Sequence, residues 1–73
     1  MNGIDARAIG QRIKVLRNDK GLTQETFAEA IGMTVSAVSK MEIGNRVPSV
    51  DTFVLLSAFF SVTLDYLVLG KAH

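Results

Sequence analysis

The sequence predicts a small all-α domain, a compact bundle of five helices. Three observations support this fold class: apolar residues recur at helical spacing, residues that can cap a helix precede each apolar stretch, and glycine or proline follows most of them. The 73 residues suffice for a single domain, 1–73, whose core would be only marginally stable. No strand pattern, internal repeat or linker interrupts the chain.

The first predicted helix runs from about Asp5 to Lys20 and ends at Gly21. Its apolar residues fall at i, i+4 and i+7 on one face: Ile9, Ile13 and Leu16. Gly10 interrupts this helix at a cost of about 1 kcal/mol relative to alanine. We therefore expect another element to pack closely against Gly10.

Two short helices follow, hinged at one glycine. Thr23 is predicted to cap the first of them, Gly32 to end it in a left-handed conformation, and Thr34 to cap the second. The inward faces are predicted to hold Phe27, Ala28 and Ile31, then Val38, Met41 and Glu42. This arrangement is a helix-turn-helix over about residues 23–42, a motif that usually reads DNA.

The remaining chain predicts two further helices. The segment Gly44–Pro48 is expected to form a loop, because the residue before a proline is driven out of the helical region. Ser49 is predicted to cap the fourth helix and Thr63 the fifth, which Gly70 ends. The residues expected to face inward are Phe53, Leu56 and Phe60, then Leu64, Leu67 and Val68.

The composition narrows the possible function classes. The chain has no cysteine, which excludes disulfides and thiolate zinc sites and fits a reducing cytoplasm. Neither a signal peptide nor a transmembrane helix is predicted, so no membrane partner is expected. With one histidine and no catalytic or phosphate-loop motif, enzyme activity finds no support, and no cofactor or metal is predicted.

The charge is low but unevenly distributed. A net charge of +1 argues against a protein that coats DNA by bulk electrostatics. Up to Arg46 there are seven Lys or Arg against five Asp or Glu, whereas beyond it Lys71 stands against Asp51 and Asp65. The basic part of the chain thus contains the predicted helix-turn-helix.

These residues resemble the Cro/C1-type helix-turn-helix family of phage-repressor-like, XRE-type regulators. The resemblance covers about Ile9 to Leu69. It rests on motifs at matching spacing: Ile9-Gly10, Leu16-Arg17, Gly21-Leu22-Thr23-Gln24, Gly32-Met33-Thr34, Val38-Ser39, Pro48-Ser49 and Val62-Thr63-Leu64-Asp65. It implies a lambda-repressor-like fold whose third helix enters the major groove, with two subunits on a pseudo-palindromic operator in double-stranded DNA.

The resemblance and the exposed helix faces together give the predicted DNA contacts: Gln24, Thr34, Val35, Ser36, Ser39, Lys40, Asn45 and Arg46. In the family a glutamine placed like Gln24 bonds a phosphate and often a side chain of the third helix. Val35 can contact a thymine methyl group and Ser36 bonds several bases with little discrimination, so the base preference is not readable. The alternative for each is a solvated surface residue, and N-capping is the favoured role of Thr34.

Two further groups of residues are assigned from the same resemblance. Arg17 and Glu42 occupy the places of a structural ion pair that fixes the reading helix. Apolar residues stand where relatives often carry polar ones, at Leu55, Phe59, Tyr66 and Leu69. A contiguous apolar patch there predicts a homodimer interface, and the alternative is the scattered apolar exposure common to small domains.

The sequence therefore predicts a cytoplasmic, sequence-specific transcriptional regulator, with repression by promoter occlusion as the expected mode. The rival hypothesis is an antitoxin-type protein that neutralises a protein partner and binds DNA secondarily. A third hypothesis, a fragment of a longer regulator, is less favoured because Gly70 and the short tail resemble a natural end.

Overall fold

The computed structural model describes residues 4–71, and both ends of the predicted domain lie outside them. The described residues form five helices: α1 (Ala6–Asp19), α2 (Gln24–Ile31), α3 (Val35–Glu42), α4 (Val50–Phe60) and α5 (Leu64–Leu69). Residues 4–71 contain no strand, which confirms the predicted all-α class. None of the described helices is both long and apolar enough to span a bilayer.

Each helix begins at a capping side chain, as the sequence predicts. The side-chain oxygens of five residues accept backbone N–H bonds from the first turns: Asp5, Thr23, Thr34, Ser49 and Thr63. At α2 the cap is reciprocal, because Thr26 Oγ1 also accepts the Thr23 N–H at 2.9 Å. These bonds satisfy amide groups that have no partner within the helix.

The core lies where all five helices meet. Its buried apolar residues are Ile9, Ile13, Phe27, Ala28, Ile31, Val38, Met41, Phe53, Leu56, Phe60 and Leu67. Gly10 is the point where α1 crosses the end of α3, since a Cβ there would lie 2.6 Å from the carbonyl oxygen of Glu42. The close packing predicted at Gly10 is confirmed.

The inward position predicted for Leu64 is wrong, because its side chain is 43% exposed. Burial in α5 is concentrated at the other end, where Leu67 is fully buried. There the Arg12 guanidinium donates to the carbonyl oxygens of Leu67 and Val68, each at 3.1 Å. These bonds hold the C-terminal turn of α5 against α1, and the first turn lies at the surface.

Candidate nucleic-acid interface

The exposed face of α3 carries most of the predicted base-reading residues. Val35, Ser36 and Lys40 are exposed and Ser39 is half-buried. Their spacing of i, i+1, i+4 and i+5 places them on one stripe of the helix. The opposite face of α3 is buried in the core. This arrangement presents an apolar group, two hydroxyls and one cation to a partner.

An ion pair fixes the other face of α3 to α1. Arg17 Nε donates to Glu42 Oε2 at 2.7 Å, and Arg17 Nη2 donates to Glu42 Oε1 at 3.1 Å. Arg17 Nη1 also donates to the Leu22 carbonyl oxygen at 2.7 Å. The hydrogen bond to Glu42 raises the pKa of Arg17 above its ordinary value despite the opposing effect of burial.

Gln24 joins the same carboxylate from α2. Its Nε2 donates to Glu42 Oε1 at 3.0 Å, while the residue itself stays half-buried at the first position of α2. An amide nitrogen carries two hydrogens, so one remains free to donate to a phosphate. Glu42 therefore connects α1, α2 and α3, and Gln24 stands at the edge of this network.

Thr34 and the loop after α3 complete the predicted set. Thr34 Oγ1 accepts the Ala37 N–H at 3.1 Å, which is the capping role favoured for it. Asn45 and Arg46 are exposed in the loop that follows. This loop begins at Gly44, whose positive φ of 84° favours glycine.

Sequence reasoning missed three polar residues on α1. Arg7, Gln11 and Lys14 line a cleft of about 320 Å³ together with Gln24, Glu42 and Ile43. The signal available in the sequence was the i, i+4, i+7 spacing of the three polar residues, which places them on one side of the helix. Their proximity to Gln24 depends on the crossing of α1 and α3, which local spacing does not reveal.

The residues predicted to form the dimer interface are not all exposed to solvent. Leu55 and Leu69 are each 42% exposed and Tyr66 is half-buried. Phe59 instead packs on the core, with its ring centroid 5.7 Å from that of Phe27. The most exposed apolar residue of α4, Val50 at 77%, was not predicted to form an interface.

Comparison with known proteins decides the family. The family model described as "Helix-turn-helix" matches residues 13–67, most of the chain. The chain belongs to this helix-turn-helix family. The match includes the predicted helix-turn-helix, with α2, α3 and α4 in full, half of α1 and most of α5.

Relatives of this helix-turn-helix protein are transcriptional regulators by name. It is 39% identical over 61 residues to the HTH-type transcriptional activator BcrR of Enterococcus faecalis, covering 84% of this chain and 30% of BcrR. It is 48% identical over 46 residues to the uncharacterized HTH-type transcriptional regulator YazB of Bacillus subtilis, covering 63% of this chain and 67% of YazB. The chain thus spans less than a third of BcrR.

A solved structure shows the same architecture. The restriction-modification controller protein C.AhdI from Aeromonas hydrophila superposes with a TM-score of 0.77 at 35% identity. The match covers 86% of this chain and 96% of that of C.AhdI. The five-helix arrangement is therefore shared with a protein of nearly the same extent.

Proposed function

We propose that this protein is a sequence-specific DNA-binding transcriptional regulator that acts on double-stranded DNA in the cytoplasm, without a cofactor or a catalytic step. The observation that carries the proposal is the exposed stripe of α3, Val35, Ser36 and Lys40, backed by the Arg17–Glu42 pair. A reading helix must present its side chains at a fixed angle to the major groove. An ion pair behind α3 supports that requirement.

Phosphate contacts would set the register of α3 on the duplex. Gln24 at the start of α2 and Asn45 and Arg46 after α3 lie before and after the reading helix in the chain and are its proposed backbone contacts. Base readout would then fall to Lys40, which can donate to a guanine edge, and to Val35, which can pack on a thymine methyl group. Ser36 and Ser39 would add hydrogen bonds of low selectivity.

The proposed active form is a homodimer on a pseudo-palindromic operator. Apolar exposure at Leu55 and Leu69, with Tyr66 half-buried nearby on α5, supports a contact through α4 and α5. A two-fold contact there would present two α3 helices to successive major grooves, about 34 Å apart. Phe59 would support this surface from below.

The protein could regulate transcription in two ways, by repression or by activation. Occlusion of a promoter by the bound dimer would repress transcription. The 39% identity to a protein named as an activator favours testing activation as well. A reporter gene with the selected operator placed within or upstream of its promoter distinguishes the two.

Removing the Lys40 cation tests the proposed surface. For each subunit, Lys40→Ala should weaken operator binding by about 1–3 kcal/mol if it contacts a base, and lower the log–log salt slope by about 0.9 if it contacts a phosphate; both changes double for a dimer. Lys71→Ala removes one exposed cation outside this surface and is the matched control. Fluorescence anisotropy across a salt series measures both quantities. Equal affinity and slope in Lys40→Ala and wild type would refute the assignment.

A further inference from the structure

The cleft on α1 holds cations that have no hydrogen-bond or ion-pair partner among residues 4–71. Within residues 4–71 the one ion pair joins Arg17 to Glu42, and the side chains of Arg7, Gln11 and Lys14 make no hydrogen bond. All three are exposed. The only acidic lining residue is Glu42, whose carboxylate is already bonded to Arg17 and Gln24. The cleft therefore presents unpaired positive charge.

The shape of this cationic row matches an extended anion better than a small one. Arg7 and Lys14 are seven positions apart, so the row is about 10 Å long at a rise of 1.5 Å per residue. Phosphates on one DNA strand recur about every 3.4 Å along the helix axis. Because the strand also winds around that axis, neighbouring phosphates lie farther apart in space, and the row reaches about two or three of them.

Two contacts fix this row relative to the proposed DNA surface. Gly44 packs on the first turn of α1, where an added Cβ would lie 2.8 Å from both Cα and Cγ of Arg7. Gln24, a proposed phosphate contact, lines the same cleft. The row and the loop that carries Asn45 and Arg46 are therefore adjacent parts of one surface.

We propose that Arg7, Gln11 and Lys14 form a second phosphate-binding row, which extends the contact of this protein with the DNA backbone beyond the helix-turn-helix. The proposal rests on the proposed DNA-binding function. The ligand is the phosphodiester group of duplex DNA, held by two cations and one amide. Such contacts add affinity and salt dependence but no base preference.

The test uses Arg7→Gln with Lys14→Gln, since glutamine keeps the Cβ and Cγ atoms that pack near Gly44 and removes only the charge. The double variant should bind the selected operator at least about tenfold more weakly at 0.1 M salt, with a log–log slope lower by about 1.8 per bound subunit, or about 3.6 for the dimer. Lys20→Gln with Lys71→Gln removes two charges elsewhere and should keep the wild-type slope. Thermal melts check that both variants fold.

Ethylation interference locates the contact. Wild type should lose binding when any of two or three consecutive phosphates next to the Gln24 contact is ethylated. Binding by the double variant at Arg7 and Lys14 should not change when those phosphates are ethylated, and should still be lost on ethylation of the other contacted phosphates. Unchanged slope and interference pattern in this variant would overturn the row, whereas failure of wild type to select any duplex would overturn the proposed function itself.

A further experiment distinguishes binding of the DNA backbone from binding of a small free anion. Inorganic phosphate is titrated at constant ionic strength while the amide NMR signals of Arg7, Gln11 and Lys14 are followed. Saturation below about 1 mM would identify a small-anion site and contradict the backbone assignment. The proposal predicts no saturable shift.

Discussion

Glu42 accepts hydrogen bonds from two other helices, which makes one buried carboxylate the junction of α1, α2 and α3. Arg17 approaches from α1 and Gln24 from α2, and Glu42 is only 4% exposed. A buried ion pair adds little net stability compared with apolar packing, yet removing one partner leaves an uncompensated charge. The network therefore matters more for where α3 lies than for how stable the domain is.

Arg17→Ala should destabilise the domain by about 3–5 kcal/mol, because Glu42 would remain buried without its cation. The folded pKa of Arg17 is raised, so the contribution of the pair is fully present below the unfolded pKa and is lost only at strongly alkaline pH. Stability should thus not depend on Arg17 titration near neutrality. Urea unfolding at several pH values measures both the destabilisation and its pH dependence. Arg46→Ala removes an exposed arginine and is the control; a matching midpoint in the two variants would show that the pair is not buried.

Gln24→Ala and Gln24→Glu separate the two roles of this side chain. Alanine removes both the bond to Glu42 and the proposed phosphate contact, so it should cost up to about 1.5–3 kcal/mol in stability as well as lowering affinity. Glutamate places a second carboxylate beside Glu42 and should lower both the stability and the DNA affinity further than alanine does. Melting and anisotropy are compared with Glu25→Ala at the next, exposed position. Wild-type stability in Gln24→Ala would indicate that the bond to Glu42 contributes nothing.

At the scale of elements, the helix ends were predictable and their crossings were not. Thr23, Thr34, Ser49 and Thr63 cap helices because a hydroxyl and a following N–H are local to each other. The partner of Gly10 and the Arg12 bonds to α5 join residues far apart in the chain. Local spacing carries no information about such pairs.

Gly10→Ala tests the crossing of α1 and α3. Alanine favours the helix by about 1 kcal/mol, but its methyl group would overlap the carbonyl oxygens of Met41 and Glu42. Backbone atoms cannot turn aside as a flexible side chain can, so we expect net destabilisation of about 1–3 kcal/mol. Ala58→Gly, at an exposed position of α4, measures the helical preference of alanine over glycine without any steric overlap. An unfolding midpoint of Gly10→Ala at or above wild type would contradict the packing.

Ser61→Gly should stabilise the protein by up to about 1 kcal/mol. Ser61 ends α4 at φ 56°, in the left-handed region that costs a residue with a Cβ about 1–2 kcal/mol. Glycine would remove this strain, and the larger entropy of glycine in the unfolded chain would offset part of the gain. Ala58→Gly, within the same helix, should instead destabilise by about 1 kcal/mol. Denaturant midpoints of the two variants should move in opposite directions. Loss of stability in both would argue against strain at Ser61.

For the whole molecule, the apolar surface was the hardest property to predict. Periodicity assigns a face to each residue, but Leu64 lies exposed and Phe59 packs beside Phe27, because burial depends on which helices reach that face. The exposed stripe of α3 was easier to predict, since the caps and the turn between α2 and α3 are determined by residues close together in the chain. The cleft at Arg7 required the three-dimensional crossing.

The dimer surface is tested with residues that do not support the core. Leu55→Lys with Leu69→Lys should give a folded monomer with much weaker operator binding, because two charges would be buried at the proposed contact. Phe59→Lys is avoided since it would disturb the core. Val54, 53% exposed and outside the predicted patch, provides the control Val54→Lys, which should remain dimeric on DNA. Sedimentation of each protein with operator DNA measures the oligomeric state. A dimer in the double variant and a monomer in Val54→Lys would place the interface on the side of α4 that carries Val54.

The central claim is that the exposed stripe of α3 reads base pairs. Wild-type protein and the variant Val35→Ala, Ser36→Ala, Lys40→Ala should each be used to select duplexes from a random pool, with sequencing of the bound DNA. We expect wild type to enrich a pseudo-palindrome whose half-sites are about one helical turn apart. The variant should retain only weak, salt-sensitive binding without that sequence. Enrichment of the same sequence by both proteins, or of none by wild type, would contradict the account.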